Sequence, residues 1–211
     1  MTPESAEFDL VCLAAGKNES ATVKTLLEKR HESLGIRRVT HHPLVHPRRD
    51  PGCLNDAAAI LQTFVNRAAY ALVIFDWEGS GREQRTASEL ERQVEDDLER
   101  NGWLGRCAAI VVTPELETWL FNDSPHVPRA LGLSGDYQQF IADLVSNGVG
   151  FTSGKPERPK EIVEAILEQN RIQRSSSLYS EMAAKVSLTR CQDRSFLKLR
   201  AKLKEWFATN E

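Results

Sequence analysis

Two short apolar runs, each followed by a pair of carboxylates one residue apart, constrain the fold of this chain most. Residues 71–75 lead into Asp76 and Glu78, and residues 108–112 lead into Glu115 and Glu117. Short runs of this kind, bounded by helical patterns, are typical of buried strands in a parallel sheet. Because open α/β sheets bind ligands beyond the carboxyl ends of their strands, up to four carboxylates are expected around one small volume. Carboxylates so close repel one another unless a cation or proton is shared, which predicts a divalent metal site.

Apolar runs alternate with amphipathic stretches through the first 122 residues. Strands are predicted at 8–15, 36–42, 71–76 and 107–112, with helices at 20–34, 55–68, 87–101 and 115–122. This alternation indicates the α/β class: a four-stranded, mostly parallel sheet with helices on both faces. Prolines and glycines then break the pattern, and further helices are predicted at 136–147, 159–170, 178–186 and 194–208. We therefore expect an α/β core at 1–122 and a helical C-terminal elaboration at 123–211 packed on it.

Composition excludes some functional classes. The formal net charge is −3, so any binding of nucleic acid requires a local basic patch. No apolar stretch is long enough to span a bilayer, and the acidic N-terminus lacks the basic region of a signal peptide, so we expect a cytoplasmic protein without membrane contact. The four cysteines are scattered without a CxxC pair, which favours core positions over zinc or disulfide frameworks.

Asp76 and Glu78 are the strongest candidates for metal ligands. Mg²⁺ prefers oxygen ligands and keeps several waters, so one or two carboxylates suffice. The alternative is that Asp76 caps a turn while Glu78 lies in solvent. Glu115 and Glu117 diverge by about 200° if their turn is helical, so only one can face the site. Glu115 is the nearer, and Glu117 is expected to hold a lysine or arginine behind it.

Several cationic or glycine-rich segments are candidates for phosphate contact. Gly79 and Gly81 would let the backbone approach a phosphate closely. The loop at 37–49, with four arginines and three histidines, would suit a phosphodiester substrate; a solvated loop is the alternative. Lys155 and Lys160 sit beside prolines before a helix, where either an exposed position or stabilisation of phosphate charge is possible.

The order of these motifs resembles the Toprim domain of topoisomerases, primases and overcoming-lysogenization-defect nucleases. The stretch 15–19 stands at the Toprim glutamate motif, and Asp76-Trp77-Glu78 stands at the later acidic motif. More closely, the chain resembles small Toprim-like proteins of prokaryotic defence islands, including methylation-associated defence systems. The matching motifs are 76–83, Pro114 to Trp119, Lys155-Pro156 with Pro159-Lys160, and Ser195-Phe196.

The resemblance implies a Mg²⁺- or Mn²⁺-dependent nuclease subunit that cleaves DNA or RNA beside an ATPase partner. Metal binding is then expected at Asp76, Glu78 and Glu115. Catalytic roles are expected at Glu115, Lys160 and Glu19. Contacts to phosphate are expected at Lys17, Arg82, Arg48, Arg49 and Lys155.

The chain departs from the Toprim pattern at Ala15, where the family has its leading glutamate. Three explanations stay open: the protein is a degenerate member kept for binding, another acid substitutes, or the alanine is an introduced replacement. The second functional hypothesis is therefore a catalytically inactive binding or regulatory module within a defence complex.

Overall fold

The computed structural model describes residues 6–152 and 154–209, and its centre is a four-stranded parallel sheet. The strands are β1 (Phe8–Ala14), β2 (His41–Val45), β3 (Ala68–Asp76) and β4 (Cys107–Val112), in the spatial order β2-β1-β3-β4. The α/β class with four parallel strands is confirmed, and the architecture is consistent with a Toprim-like fold.

Alternate residues of each strand enter two separate hydrophobic clusters, which explains the continuous apolar runs. In β1, Leu10 and Cys12 face one cluster, whereas Val11 and Leu13 face the other. Both faces of the sheet are therefore buried, as parallel sheets require.

Nine α-helices are assigned within the described residues. They are α1 (Lys17–Lys29), α2 (His31–Leu34), α3 (Arg49–Leu61), α4 (Ala87–Leu98), α5 (His126–Ala130), α6 (Tyr137–Ser146), α7 (Pro159–Gln169), α8 (Ser176–Lys185) and α9 (Arg194–Phe207). A short antiparallel hairpin, β5 (Phe151–Thr152) and β6 (Lys155–Pro156), precedes α7. Helices α3 and α4 cover one face of the sheet, and α1, α8 and α9 contribute to the cluster on the other. Helices lie on both faces, as predicted.

Two predicted elements were placed wrongly, and a third has a different helix type. The second strand is His41–Val45 rather than 36–42; it continues through Pro43 because β2 is an edge strand, where proline is tolerated. Helix α3 begins at Arg49 rather than near residue 55, because Pro51 lies in its first turn, where the missing N–H has no helical partner to lose. The predicted helix at 115–122 is a short 3-10 turn, Leu116–Leu120.

The chain reverses direction across the sheet between β1 and β3. The first crossover carries the chain from β1 to β2 on one side, and the next returns it to β3 on the other. The carboxyl ends of β1 and β3 thus border a topological switch point, the usual ligand crevice of such sheets. The acid at the end of β3 is Asp76, so the topology places this residue beside that crevice.

The outer edge of β4 is closed by side chains of α4 rather than by another strand. Glu91 accepts a hydrogen bond from the Val111 N–H (3.0 Å), and Glu95 accepts one from the Ala109 N–H (2.9 Å). Helix α9 supplies the cations Arg194 and Lys198 to Glu91. These contacts satisfy backbone donors that an open sheet edge would leave free.

The helices beyond residue 122 share the hydrophobic cluster of the α1 face with the sheet. Residues on both sides of position 122 therefore belong to one hydrophobic cluster, and the division of the chain at residue 122 stays a prediction. In the described part of the chain, every helix is too short or too polar to span a bilayer.

Candidate functional site

A cavity of about 510 Å³ opens at the carboxyl ends of β1 and β3. Its walls come from the β1–α1 turn, the segment after β2, the end of β3 and the C-terminal region. The lining residues are Ala15, Gly16, Lys17, Asn18, Glu19, Val45, His46, Pro47, Arg49, Asp50, Asp76, Lys160 and Arg174. The topological switch point is therefore a real concave site with an acidic floor.

Asp76 is the most unusual group in this cavity. It is only 7% exposed, and its Oδ1 has no hydrogen-bond partner among the described residues. Burial raises the pKa of Asp76 well above its ordinary value, and the charges of Glu19 and Asp50 raise it further. A buried carboxylate without a cationic partner is unfavourable in the ionised form, so the site favours a bound cation or proton.

Glu19 approaches the same cavity from the first turn of α1. Its carboxylate folds back over Gly16, where a Cβ would lie 2.5 Å from Oε2, so a side chain at position 16 would displace the carboxylate. Burial raises the pKa of Glu19, its own backbone N–H opposes the shift, and the charge of Asp50 adds to it. The charge of Glu19 also raises the pKa of Asp76, so the acid predicted at position 19 lies close enough to influence Asp76.

Asp50 is a site residue that the sequence analysis missed. Its Oδ1 accepts a hydrogen bond from the backbone N–H of Asp76 (2.9 Å), which ties α3 to the end of β3. Burial raises the pKa of Asp50, against the hydrogen bond from Asp76. The available signal was an acid directly before Pro51, a few residues after β2, because the carboxyl ends of β2 and β3 lie at the same edge of the sheet. Ending the second strand at residue 42 concealed it.

Glu115 borders the cavity through an ion pair. The Lys160 Nζ lies 2.8 Å from Glu115 Oε1, and the carboxylate is buried while the lysine is partly exposed. Burial raises the pKa of Glu115, and the Lys160 hydrogen bond opposes that shift. The pKa of Lys160 is itself raised, because the hydrogen bond and charge of Glu115 outweigh the effect of burial. The pair therefore favours the charged form of Lys160, whereas at Glu115 burial outweighs the lysine and shifts the carboxyl group toward its protonated form.

Glu117 is buried behind Glu115 and holds an arginine, which confirms that part of the prediction. Arg174 donates to Glu117 Oε1 (2.7 Å), and the Tyr179 hydroxyl donates to the same oxygen. Arg174 also lines the cavity. Helix α8 thus anchors the 3-10 turn that carries Glu117.

Lys17 and Arg49 line the cavity, whereas other predicted residues lie outside its lining; these are Glu78, Arg82, Arg48 and Lys155. Glu78 is exposed at the glycine turn, as is Arg82. Arg48 forms an ion pair with Asp56, and Lys155 lies 2.5 Å from Asp193. The described residues contain no group of three or more His, Cys, Asp or Glu side chains arranged to hold a metal ion, so the predicted set of Asp76, Glu78 and Glu115 does not form a closed cage.

The donors that do converge still fit a hard cation. Mg²⁺ needs only one or two protein carboxylates because it retains several waters. Asp76 offers an unpartnered buried oxygen, and Glu19 and Asp50 supply further negative charge in the same cavity. The carboxylate oxygen of Asp76 and the negative charge around it therefore suit Mg²⁺ or Mn²⁺ better than zinc, which favours nitrogen and sulfur ligands.

Three of the short motifs behind the Toprim-like resemblance meet at Asp193. Its carboxylate accepts hydrogen bonds from Lys155 Nζ, from Trp119 Nε1 (3.2 Å) and from the Ser195 N–H (2.9 Å). The hairpin, the 3-10 turn and α9 are joined there. These motif residues build the scaffold that supports Glu115 and Glu117.

No protein-family model matches the chain, and neither a curated protein nor a solved structure is significantly similar to it.

Proposed function

We propose that this protein is a Toprim-like, Mg²⁺- or Mn²⁺-dependent nuclease subunit of a prokaryotic antiviral defence system. The observation that carries the proposal is the unpartnered Oδ1 of Asp76, buried in an acidic cavity at the switch point of the sheet. Such crevices are the usual ligand sites of open α/β folds.

The balance of charge in the cavity favours a cation. Lys160 and Arg174 hold ion pairs with Glu115 and Glu117 at the border. The inner acids have no comparable ion pair among the described residues; they are Glu19, Asp50 and Asp76. A divalent ion held by Asp76 would relieve the repulsion among these acids, and when bound it would polarise a phosphate oxygen as a Lewis acid.

Cations at the mouth of the cavity suit a phosphodiester substrate. Lys17 and Arg49 are exposed and line the opening, so they are proposed to bind the backbone phosphates. Lys160 is proposed to stabilise negative charge on the scissile phosphate; its hydrogen bond to Glu115 supports a fixed position of the ammonium group. Glu19, with its raised pKa, is proposed to exchange a proton with the attacking water.

Nucleic acid is the proposed substrate, and an ATPase of the same defence system is the proposed protein partner. The support for the partner is the motif resemblance around Asp76 to Glu83 and Pro114 to Trp119.

A second candidate function is a non-catalytic binding module. The observation in its favour is Ala15, a buried residue of the cavity wall at the position where Toprim enzymes carry a glutamate. The same acidic cavity would then bind a cation or a basic partner without cleaving nucleic acid.

Cleavage of DNA and tRNA in Mn²⁺ distinguishes the two functions. We expect wild type, tested with and without its ATPase partner, to cleave at least one substrate. Asp76→Asn should reduce the rate by at least a hundredfold, because a metal-binding charge is lost. Asp96→Asn makes the same chemical change at an exposed position of α4 and should leave the rate unchanged.

Ala15→Glu tests whether an added acid restores the Toprim arrangement. Cleavage by Ala15→Glu alone would indicate that the natural chain is the binding module. Inactivity of both forms with the partner present, in variants that melt cooperatively, would refute the nuclease.

A further inference from the structure

The glycine turn after β3 already binds an anion, and that anion is one of its own side chains. The backbone N–H groups of Gly79 and Gly81 donate to the same oxygen, Oε1 of Glu83, at 2.9 and 3.0 Å. Hydrogen bonds from the backbone N–H groups of Glu83 itself and of Gly81 lower the pKa of Glu83. The turn therefore acts as a concave donor site for an oxyanion.

The backbone of the turn is built for this arrangement. Gly79 and Gly81 have φ values of 89° and 75°, a region that favours glycine. Ser80 is buried and its hydroxyl accepts from the Arg82 N–H (3.2 Å), so the turn is fixed on its inner side. The N–H groups of Gly79 and Gly81 converge on one oxygen, while the Ser80 N–H between them donates to the Trp77 carbonyl (3.2 Å). Converging backbone N–H groups in turns form anion-binding nests like those that hold phosphates.

The outer side of the turn is open. A Cβ at Gly81 would meet no atom within 4 Å, and one at Gly79 would meet only Asp50 Oδ2, at 3.7 Å. The nest is thus accessible from solvent and adjoins the acidic cavity through Asp50. Glu83 is exposed, so its carboxylate can leave the nest without opening the core.

We propose that the turn Gly79–Gly81 is a phosphate-binding nest, and that Glu83 occupies it until a substrate phosphate displaces it. A carboxylate and a phosphate offer the same chemistry, namely negatively charged oxygens that accept several N–H bonds. Arg82, exposed beside the nest, adds positive charge for the incoming phosphate. The assignment of that phosphate to a nucleic-acid backbone rests on the proposed function; the nest itself does not require the metal.

Binding of a fluorescein-labelled single-stranded DNA 12-mer, measured by anisotropy in EDTA, tests this proposal. An internal ligand lowers apparent affinity by the fraction of protein in which the site is free, so Glu83→Ala should bind the oligonucleotide about 3- to 10-fold more tightly than wild type. Glu168→Gln removes one negative charge from an exposed position of α7 and should change affinity by less than about twofold. Inorganic phosphate should compete more strongly against Glu83→Ala than against wild type; equal competition against both proteins would contradict a phosphate-binding nest.

A second substitution connects the gain to the turn. Gly81→Ala opposes the positive φ without filling occupied space, so adding it to Glu83→Ala should abolish the gain in affinity. If Gly81→Ala prevents folding, the comparison of Glu83→Ala with Glu168→Gln decides alone. Equal or weaker binding by Glu83→Ala would overturn the nest. Because EDTA is present throughout, that result is separate from failure of metal-dependent cleavage.

Discussion

Replacing Asp76 with asparagine should stabilise the metal-free protein, although the residue is central to the proposed site. The ionised carboxylate is buried beside Glu19 and Asp50, and its Oδ1 has no hydrogen-bond partner among the described residues. Removing an uncompensated buried charge while keeping the side-chain shape should raise the free energy of unfolding by about 2 kcal/mol. At this chain length that is a rise in Tm of about 4–8 °C.

Metal should reverse the order of the two proteins. A metal that binds only the folded state contributes about 2.7 kcal/mol when its free concentration is a hundred times Kd. Wild type in Mn²⁺ should therefore gain roughly 5–10 °C in Tm, whereas Asp76→Asn should gain little. Opposite effects in EDTA and in Mn²⁺ would be difficult to explain by packing alone.

The pH dependence follows from the raised pKa of Asp76. Because the folded state favours the protonated acid, wild type is penalised at pH values above the folded pKa and is relieved as pH falls through it. The stability advantage of Asp76→Asn in EDTA should accordingly shrink as the pH is lowered from 8 to 5. The reason for the trend is proton uptake by the folded wild type.

Thermal melts in EDTA and Mn²⁺ across that pH range provide the assay. Asp96→Asn is the matched control and should change Tm by no more than about 2 °C, since exposed substitutions stay within about 0.5 kcal/mol. A lower Tm for Asp76→Asn in EDTA, or an equal response of both proteins to Mn²⁺, would refute the reasoning.

Three further predictions concern the scaffold and are checked by urea or acid unfolding. Glu91→Ala should lower the free energy of unfolding by about 2–4 kcal/mol, because it leaves the buried N–H of Val111 without its acceptor. A loss below about 1 kcal/mol would show that this N–H finds another acceptor at the edge of β4. The hydrogen bond from Arg37 lowers the pKa of Asp9 to about 2. The free energy of unfolding of wild type should therefore fall by about 1 kcal/mol relative to Asp9→Asn as the pH falls from about 4 to about 2. The expected change is modest because Arg37 is half exposed. Arg106→Lys should lower the free energy of unfolding by about 2 kcal/mol, because an ammonium cannot reach the several backbone carbonyls that the buried guanidinium binds. An unchanged free energy of unfolding would contradict this account.

The fold was predictable where local pattern and burial agree. The runs at 71–76 and 107–112 are strands because continuous apolar sequence must be covered on both faces, and both predictions match β3 and β4 closely. Helix α4 was predictable from its apolar stripe, which is a local pattern; the capping box formed by Thr86 and Glu89 at its start is local as well.

The site was predictable only in part. Asp76 follows from its position at the end of a buried strand. Glu78 was expected beside it, but the backbone turns away after Asp76 and leaves Glu78 exposed. Asp50 escaped detection because the second strand was predicted to end at residue 42 and the helix to begin near residue 55. Only the tertiary structure brings its carboxylate to the backbone N–H of Asp76.

The sequence alone determined that a parallel sheet forms and that an acid stands where its third strand ends. Both features depend on residues that are neighbours in the chain, namely an apolar run and the residue that follows it. Only the tertiary structure decided which distant side chains join that acid. Asp50 and Glu19 enter the cavity, while Lys160 and Arg174 neutralise the glutamates after β4. Such pairings depend on the positions of helices far apart in the chain, and the charge left uncompensated at Asp76 is their combined result.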